Sequence, residues 1–328
     1  MKYFRFLLVF AILLLFSACK KELVFRDYAL QGPVFGTTYK ITYLNANSNY
    51  QKSIDSLFLK MNSSLSTYLA TSAISRINRG DTTVVVDAYF VEVFEKSKRI
   101  FCETNGFFDP TVGNLVNAWG FGPKKEKTDL TAEQLKKQLQ FVGLDKVQLK
   151  AQHVLKERSG IYLDFNSVAK GFGIDVVARF LESKKIENYL VEIGGEIRTG
   201  GFKKGQQPWV IKLVDPIASG DSSGFKNINL SNKSMATSGN YRKFRVTDTG
   251  EKYVHTINPK TGEAKESNLL SVSVIAAIDC ADVDAYATAF MAMGLEKTKL
   301  FLAKNRQLEV ILLFVNPEGS LAEYTTYK

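Results

Sequence analysis

Residues 269–294 read LLSVSVIAAIDCADVDAYATAFMAMG. From Leu269 to Ile278 almost every side chain is apolar, the pattern of a strand buried on both faces. Ala281–Met293 then has the length of a helix, closed by Gly294. A strand feeding a helix sets the theme, and the neighbouring segments vary it. Downstream, Glu309–Val315 and Leu321–Thr326 flank Asn316-Pro317-Glu318-Gly319, a hairpin signal. Upstream, Tyr241–Val246 and Lys252–Ile257 flank Asp248-Thr249-Gly250, a second one. Trp209–Val214 alternates, and Tyr189–Ile193 is a buried strand broken by Gly194-Gly195. A helix over Ser167–Lys184 follows a strand over Ile161–Phe165. Thr131-Ala132-Glu133-Gln134 is a capping box that opens a charged helix running to about Gln140. Asp87 opens a helix with Phe90, Val93, Phe94, Ser97 and Ile100 on one face, ended by Gly106. Ile54, Leu57, Phe58, Met61 and Leu65 repeat at helical spacing, and Phe35–Tyr43 alternates as a strand after Gly32-Pro33. Strands and helices mix without strict alternation. The expected class is therefore α+β, with mixed or antiparallel sheets and packed helices.

The chain has 328 residues, 45% of them hydrophobic, which supports a sizeable core and excludes a disordered chain. Its net charge of +10 comes from scattered Lys and Arg rather than a run, so no nucleic-acid partner is expected. Three Cys (Cys19, Cys102, Cys280) and two His (His153, His255) are too few for a disulfide framework or a Cys/His zinc cluster. Cys102 falls in a helix-like setting and Cys280 in a loop-like one; whether they pair stays open.

Residues 1–19 read MKYFRFLLVFAILLLFSAC. Lys2 and Arg5 form a basic start, Phe6–Phe16 is an apolar run, and Ser17-Ala18 is a small-residue cleavage site. The run is shorter than the roughly 20 apolar residues that span a bilayer, so it reads as a signal peptide. Cys19 directly after Ser-Ala resembles a bacterial lipobox, which implies cleavage before Cys19 and lipidation of its thiol. The expected organisation is a signal peptide over 1–18, a lipidated tether over 19–30 and one domain over 31–328. Cleavage removes Lys2 and Arg5, leaving a net charge of +8. The protein is then exported and held on the periplasmic side of a membrane by acyl chains.

Six stretches carry candidate chemistry. Asp284 and Thr288 are i and i+4, so their oxygens share one helical face and suit a hard cation such as Mg²⁺. The structural alternative is that Asp282 or Asp284 caps the helix while Thr288 packs. In Leu163–Gly173 a carboxylate, Asp164, precedes a helix with Lys170 in its first turn, a setting that suits a phosphate. It is equally a turn with a surface lysine. Gly106–Gly122 interleaves aromatics with Gly and Asn, as the wall of a flat heterocycle or as a packed loop. Ala236–Tyr241 is a polar turn into the hairpin, and His255–Gly262 leaves it. Gly194-Gly195-Glu196 permits close backbone approach or a sharp bend.

Taken in order, GPVFGTTY, SLSTYLATSAISRIN, GFFDPTVGNLVNAWGFG, LDFNSVAKGFGID, YLVEIGGEIRTGG, ATSGNYRKF, HTINPKTG and ADVDAYATAFMAMG resemble the ApbE-type FAD:protein FMN transferases, from about Gly32 to about Gly294. The resemblance implies a fold related to the T-fold. It implies an enzyme that takes FAD and Mg²⁺, breaks the diphosphate, joins FMN to a Thr or Ser hydroxyl of an exported redox protein, and releases AMP. By motif position it implies that Asp284 and Thr288 bind Mg²⁺ by side chain and Ser167 by its carbonyl. It places Asp164 and Lys170 on FAD, and Phe35, Tyr68, Phe108 and Asp109 along the flavin nucleotide. His255 matches a position proposed as a general base that also contacts the nucleotide; Asp284 is the other candidate base. The chain departs from the family pattern at Phe35 (often Met), Asn166-Ser167 (often Gly-Ala) and Asn258 (often Asp). Alternatives of other classes are a lipid-anchored flavin-binding protein without turnover, a Mg²⁺-dependent FAD pyrophosphatase, and a plain structural lipoprotein.

Overall fold

The computed structural model describes residues 24–123, 130–216, 224–240, 244–246, 252–264 and 267–328. The expected leader, its cleavage site and Cys19 lie outside the described residues, as does the Asp248-Thr249-Gly250 turn. Among the described residues no helix is long and apolar enough to cross a membrane.

The strands are β1 (Arg26–Val34), β2 (Thr37–Ala46), β3 (Val147–Lys150), β4 (His153–Lys156), β5 (Tyr189–Ile193), β6 (Glu196–Gly200), β7 (Trp209–Val214), β8 (Gly224–Leu230), β9 (Ser234–Gly239), β10 (Phe244–Val246), β11 (Lys252–Val254), β12 (Leu269–Ala276), β13 (Glu309–Val315) and β14 (Leu321–Thr325). The α-helices are α1 (Gln51–Leu65), α2 (Ala73–Asn78), α3 (Ala88–Glu103), α4 (Gly113–Ala118), α5 (Ala132–Leu139), α6 (Ala169–Ser183), α7 (Cys280–Met293) and α8 (Leu295–Leu302). Eight strands form one antiparallel sheet in the order β1-β2-β5-β6-β9-β12-β13-β14. The α+β class expected from the sequence is the observed one.

This sheet is covered on both faces, which is why its central strands read as near-continuous apolar runs. Along β12 and β13, Val272, Val274, Val310 and Leu312 join the main core with α6 and α7. The alternate residues Ile275, Ile311 and Leu313 pack instead with Leu213, Ile228 and Leu230 of the β7–β8 hairpin. A third, smaller core ties Leu115 and Trp119 to Ile257 and Ala264. It anchors the segment after β11 to the aromatic Gly106–Gly122 stretch.

Several expected boundaries move, each for a local reason. Strand β1 begins at Arg26, so the last residues of the expected 19–30 tether pair with β2 in the sheet. Phe35 does not start a strand: it and Gly36 form the two-residue β1–β2 turn, with φ of 48° and 75°. Such turns need positive φ at both positions, and Gly36 supplies one without strain. The expected strand at Ile161–Phe165 is reduced to a single bridge between Tyr162 and Val112, because Asn78 holds both the N–H and the carbonyl of Leu163 with its side-chain amide. Helix α6 starts at Ala169 rather than Ser167, since residues 166–168 form a turn. Among the described residues the β10–β11 pairing covers Phe244–Val246 and Lys252–Val254; residues 241–243 of the expected strand lie outside them. Cys280 opens a helix instead of lying in a loop; it is buried, Cys102 is exposed, and both are free thiols.

Candidate functional site

The site is built where helices α6 and α7 touch. The two backbones meet tightly at Gly171, where a Cβ would lie 2.4 Å from the Cys280 carbonyl oxygen and 2.7 Å from the Ala281 nitrogen. Only glycine permits this backbone-to-backbone contact. It places Asp284, one turn further along α7, over the first turn of α6. The Asp284 carboxylate is buried, and its Oδ2 accepts a hydrogen bond from the Gly171 N–H at 3.2 Å. The same oxygen lies 3.6 Å from Lys170 Nζ, and Lys170 also reaches Glu196 Oε1 at 3.1 Å. Two carboxylates therefore share one ammonium. Burial opposes the Lys170 charge, but Asp284 and then Glu196 more than offset it and hold the ammonium well above its usual range. Glu196 is pushed upward, first by burial and then by the nearby Asp284 charge, although Lys170 draws it down. Its Oε2 is buried without a hydrogen-bond partner.

Thr288 follows Asp284 by one turn and is half-buried, with its hydroxyl 3.4 Å from the Ser238 hydroxyl at the end of β9. Ser167 lies in the turn before α6, also half-buried. That turn is shaped by Asp164, whose Oδ1 accepts the Asn166 N–H at 2.9 Å. The Asp164 N–H is held in turn by the Pro110 carbonyl at 2.7 Å, and burial raises its carboxyl above the usual range. The donors gathered at α7 are a carboxylate and hydroxyls. Among the described residues no group of three His, Cys, Asp or Glu side chains forms a metal cluster. An all-oxygen set with one carboxylate suits a hard cation that keeps waters or substrate oxygens, which is the coordination habit of Mg²⁺.

The remaining expected site residues lie on the loops around this crossing. Phe108 and Asp109 sit in the Gly106–Gly122 stretch, and Phe108 is fully buried in the main core. Its N–H is taken by the Thr104 hydroxyl at 3.1 Å, so Phe108 presents almost no surface in this structure. Asp109 Oδ1 accepts from the Thr111 N–H and hydroxyl at 2.8 and 2.6 Å. Burial nevertheless pushes its carboxyl up to about 6. Its neighbour Pro110 is the residue that grips Asp164, so this loop and the α6 turn are one unit. Tyr68 is 63% exposed, on the loop between α1 and α2. Phe35 holds its ring edge-on to Phe58 with centroids 5.5 Å apart, and its Cε2 lies against Gly173 of α6. A bulky residue at positive φ is strained, and such strain concentrates at functional sites. His255 lies just after β11 with its ring edge-on to Phe121 at 6.5 Å. Its loop is pinned where Trp119 Nε1 donates to the Gly262 carbonyl at 2.9 Å.

The structure thus brings together Asp284 and Lys170, which are distant in the sequence, and joins Asp164 to Asp109 through Pro110. It sets Thr288 against Ser238 and His255 against Phe121. The sequence reading had Glu196 only as part of a bend. No pattern in β6 signals it, since Glu196 and Ile197 are buried side by side in a strand covered on both faces. The role of Gly171 as the contact point of two helices had no sequence signal, because it depends on which helix arrives from elsewhere.

Comparison with known proteins places this geometry. The family model described as "ApbE family" matches residues 35–312. A relative from Haemophilus influenzae named FAD:protein FMN transferase is 35% identical over 323 residues, covering 94% of this chain and 92% of the relative. The solved flavin transferase ApbE from Vibrio cholerae superposes with a TM-score of 0.81 at 34% identity, covering 92% of this chain and 97% of that one. The Pseudomonas stutzeri flavinyl transferase ApbE, in its apo form, superposes with a TM-score of 0.82 at 26% identity, covering 92% and 95%. Motif order, sheet topology and these likenesses agree: the chain belongs to the ApbE family of enzymes.

Proposed function

We propose that this enzyme is an Mg²⁺-dependent FAD:protein FMN transferase. It moves FMN from FAD onto a Thr or Ser hydroxyl of an exported redox protein and releases AMP. The observation that carries the reading is the Lys170–Asp284 pair: two widely separated chain segments place an ammonium 3.6 Å from a buried carboxylate at a helix start. A flavin-binding protein without turnover has no use for that arrangement.

Phosphoryl-type transfer to a hydroxyl needs charge neutralisation and positioning more than covalent chemistry. When bound, Mg²⁺ supplies that neutralisation at the diphosphate; Asp284, Thr288 and the Ser167 carbonyl would hold it. Lys170, in the first turn of α6, contributes a fixed positive charge that favours the same anion. Phe35 and Tyr68 offer apolar ring faces for the nucleotide, and Asp109 and Asp164 fix the two loops that frame it. In the reaction the acceptor hydroxyl oxygen bonds to the FMN phosphorus. The bond from that phosphorus to the bridging oxygen breaks, and AMP leaves with that oxygen. The hydroxyl proton passes to a base, for which His255 is the first candidate and Asp284 the second.

The address belongs to the same proposal. Cleavage before Cys19 and lipidation of its thiol leave the enzyme on the periplasmic side of a membrane, where an exported acceptor is found. The test is to incubate the purified protein with FAD, Mg²⁺ and an acceptor domain carrying a Thr/Ser flavinylation site, then follow AMP and covalent flavin fluorescence. AMP appearing together with a fluorescent acceptor band supports the proposal. AMP without acceptor labelling makes the enzyme an FAD pyrophosphatase, and no AMP at all makes it a binder.

A further inference from the structure

Helices α6 and α7 each begin without a side-chain cap of their own: Val168 and Asp279 occupy the capping positions and neither accepts a capping hydrogen bond. For Asp279 the reason is visible. Its Oδ2 is taken by Lys96 at 2.8 Å and Arg179 at 2.7 Å, and its Oδ1 by Arg198 at 2.7 Å. The free N–H groups are satisfied across the crossing instead. Asp175 of α6, fully buried, accepts from the Cys280 N–H through Oδ1 at 2.8 Å and from the Ala281 N–H through Oδ2 at 2.9 Å. Asp284 of α7 accepts from the Gly171 N–H of α6. Each helix thus caps the other. Gly171 and Asp175 are one turn apart on α6; Cys280 and Asp284 are one turn apart on α7. The two contacts fix the sliding register of one helix on the other, and Arg198 Nη1 holds Asp175 Oδ1 in place at 2.7 Å.

We infer that Asp175 is a positioning residue for the reaction: by capping α7 from α6 it sets where the Asp284 carboxylate stands, and so governs how tightly that carboxylate grips a divalent cation. This rests on the reading of Asp284 as a metal ligand. An asparagine at 175 keeps the size but turns one acceptor into an NH₂ donor that faces an N–H donor. One hydrogen bond is lost and a donor–donor contact replaces it. Residues that orient a metal ligand typically alter metal affinity by about 10–100-fold when changed.

The experiment is a Mn²⁺ titration followed by electron paramagnetic resonance. It uses the full purified protein with FAD present, below the melting temperature of each variant. The variants are Asp175→Asn, Arg198→Lys and Asp284→Ala. The expected result is complete loss of binding in Asp284→Ala and about 10–100-fold weaker binding in Asp175→Asn. Excess Mg²⁺ should restore FMN transfer in Asp175→Asn but not in Asp284→Ala. A purely structural Asp175 lowers the melting temperature and leaves Mn²⁺ affinity within twofold of the parent; that result, with binding lost in Asp284→Ala, overturns the inference alone. Parental Mn²⁺ binding in Asp284→Ala overturns the metal reading beneath it. If Asp175→Asn does not fold, Arg198→Lys decides. It keeps the charge but not the fork, so at least threefold weaker binding supports the role of Asp175, and unchanged binding refutes it.

Discussion

Replacing Gly171 with alanine tests the α6–α7 crossing without touching a charged group. The added Cβ would sit 2.4 Å from the Cys280 carbonyl oxygen and 2.6 Å from its carbonyl carbon. Ordinary contact begins near 3.4 Å, so the helices must separate by roughly 1 Å, because backbone atoms have no rotamer to retreat into. Overpacking of this kind costs about 1–3 kcal/mol, and the upper end applies where backbone meets backbone. Alanine returns about 1 kcal/mol through its better helix propensity. The net loss is about 2 kcal/mol, or a melting temperature lower by roughly 3 °C for a domain of about 300 residues. The larger effect is on chemistry. Separation of the helices draws Asp284 away from the Gly171 N–H and from Lys170, and a misplacement of about 1 Å can cost 10²-fold in rate. Thermal denaturation and initial rates of acceptor flavinylation measure the two effects. A variant with parental melting temperature and a rate within twofold of the parent would show that the contact is not where the site is set.

Three further perturbations follow from the same geometry. Lys170→Met leaves Glu196 and Asp284 buried side by side without a cation. Breaking a buried pair in this way costs about 3–5 kcal/mol, and adding Glu196→Gln to the variant should recover part of it in chemical denaturation; a double variant no more stable than Lys170→Met would contradict the shared-ammonium picture. Asp284→Ala should abolish transfer, whereas His255→Ala should lose about 10²–10⁴-fold, the usual share of a general base. A His255 variant slower than the Asp284 variant would reverse that ranking. Burial raises Asp109 from 3.8 to about 6, so between those values the folded protein holds a proton that the unfolded chain has released. Stability therefore falls as pH rises through that window, by about 3 kcal/mol for this group. Asp109→Asn keeps the acceptor for Thr111 and should be more stable than the parent at pH 7 but not at pH 3.5. Equal pH profiles for the two proteins would disprove the assignment.

Much of the fold was legible because its signals are local. The apolar run Leu269–Ala276, the Asp87 cap at the start of α3 and the Thr131–Gln134 capping box each determine their element without help from elsewhere. The misread segments are those where a distant partner decides. Ile161–Phe165 has strand composition, yet Asn78 claims the backbone groups of Leu163 that a neighbouring strand would need. Phe35 alternates with its neighbours, but the Gly36 turn forces it to positive φ. The site divides in the same way. Asp284 and Thr288 stand out by residue type along α7, and Lys170 at the start of α6, while Glu196, Ser238 and Asp175 acquire their roles only when β6, β9 and α6 are assembled.

The most direct test of the account is the position of a divalent ion in crystals grown with FAD and Mn²⁺. Anomalous diffraction should place one Mn²⁺ between the Asp284 carboxylate and the Thr288 hydroxyl, with the FAD diphosphate beside Lys170. A Mn²⁺ peak elsewhere, or FAD bound with its diphosphate away from the start of α6, would contradict it.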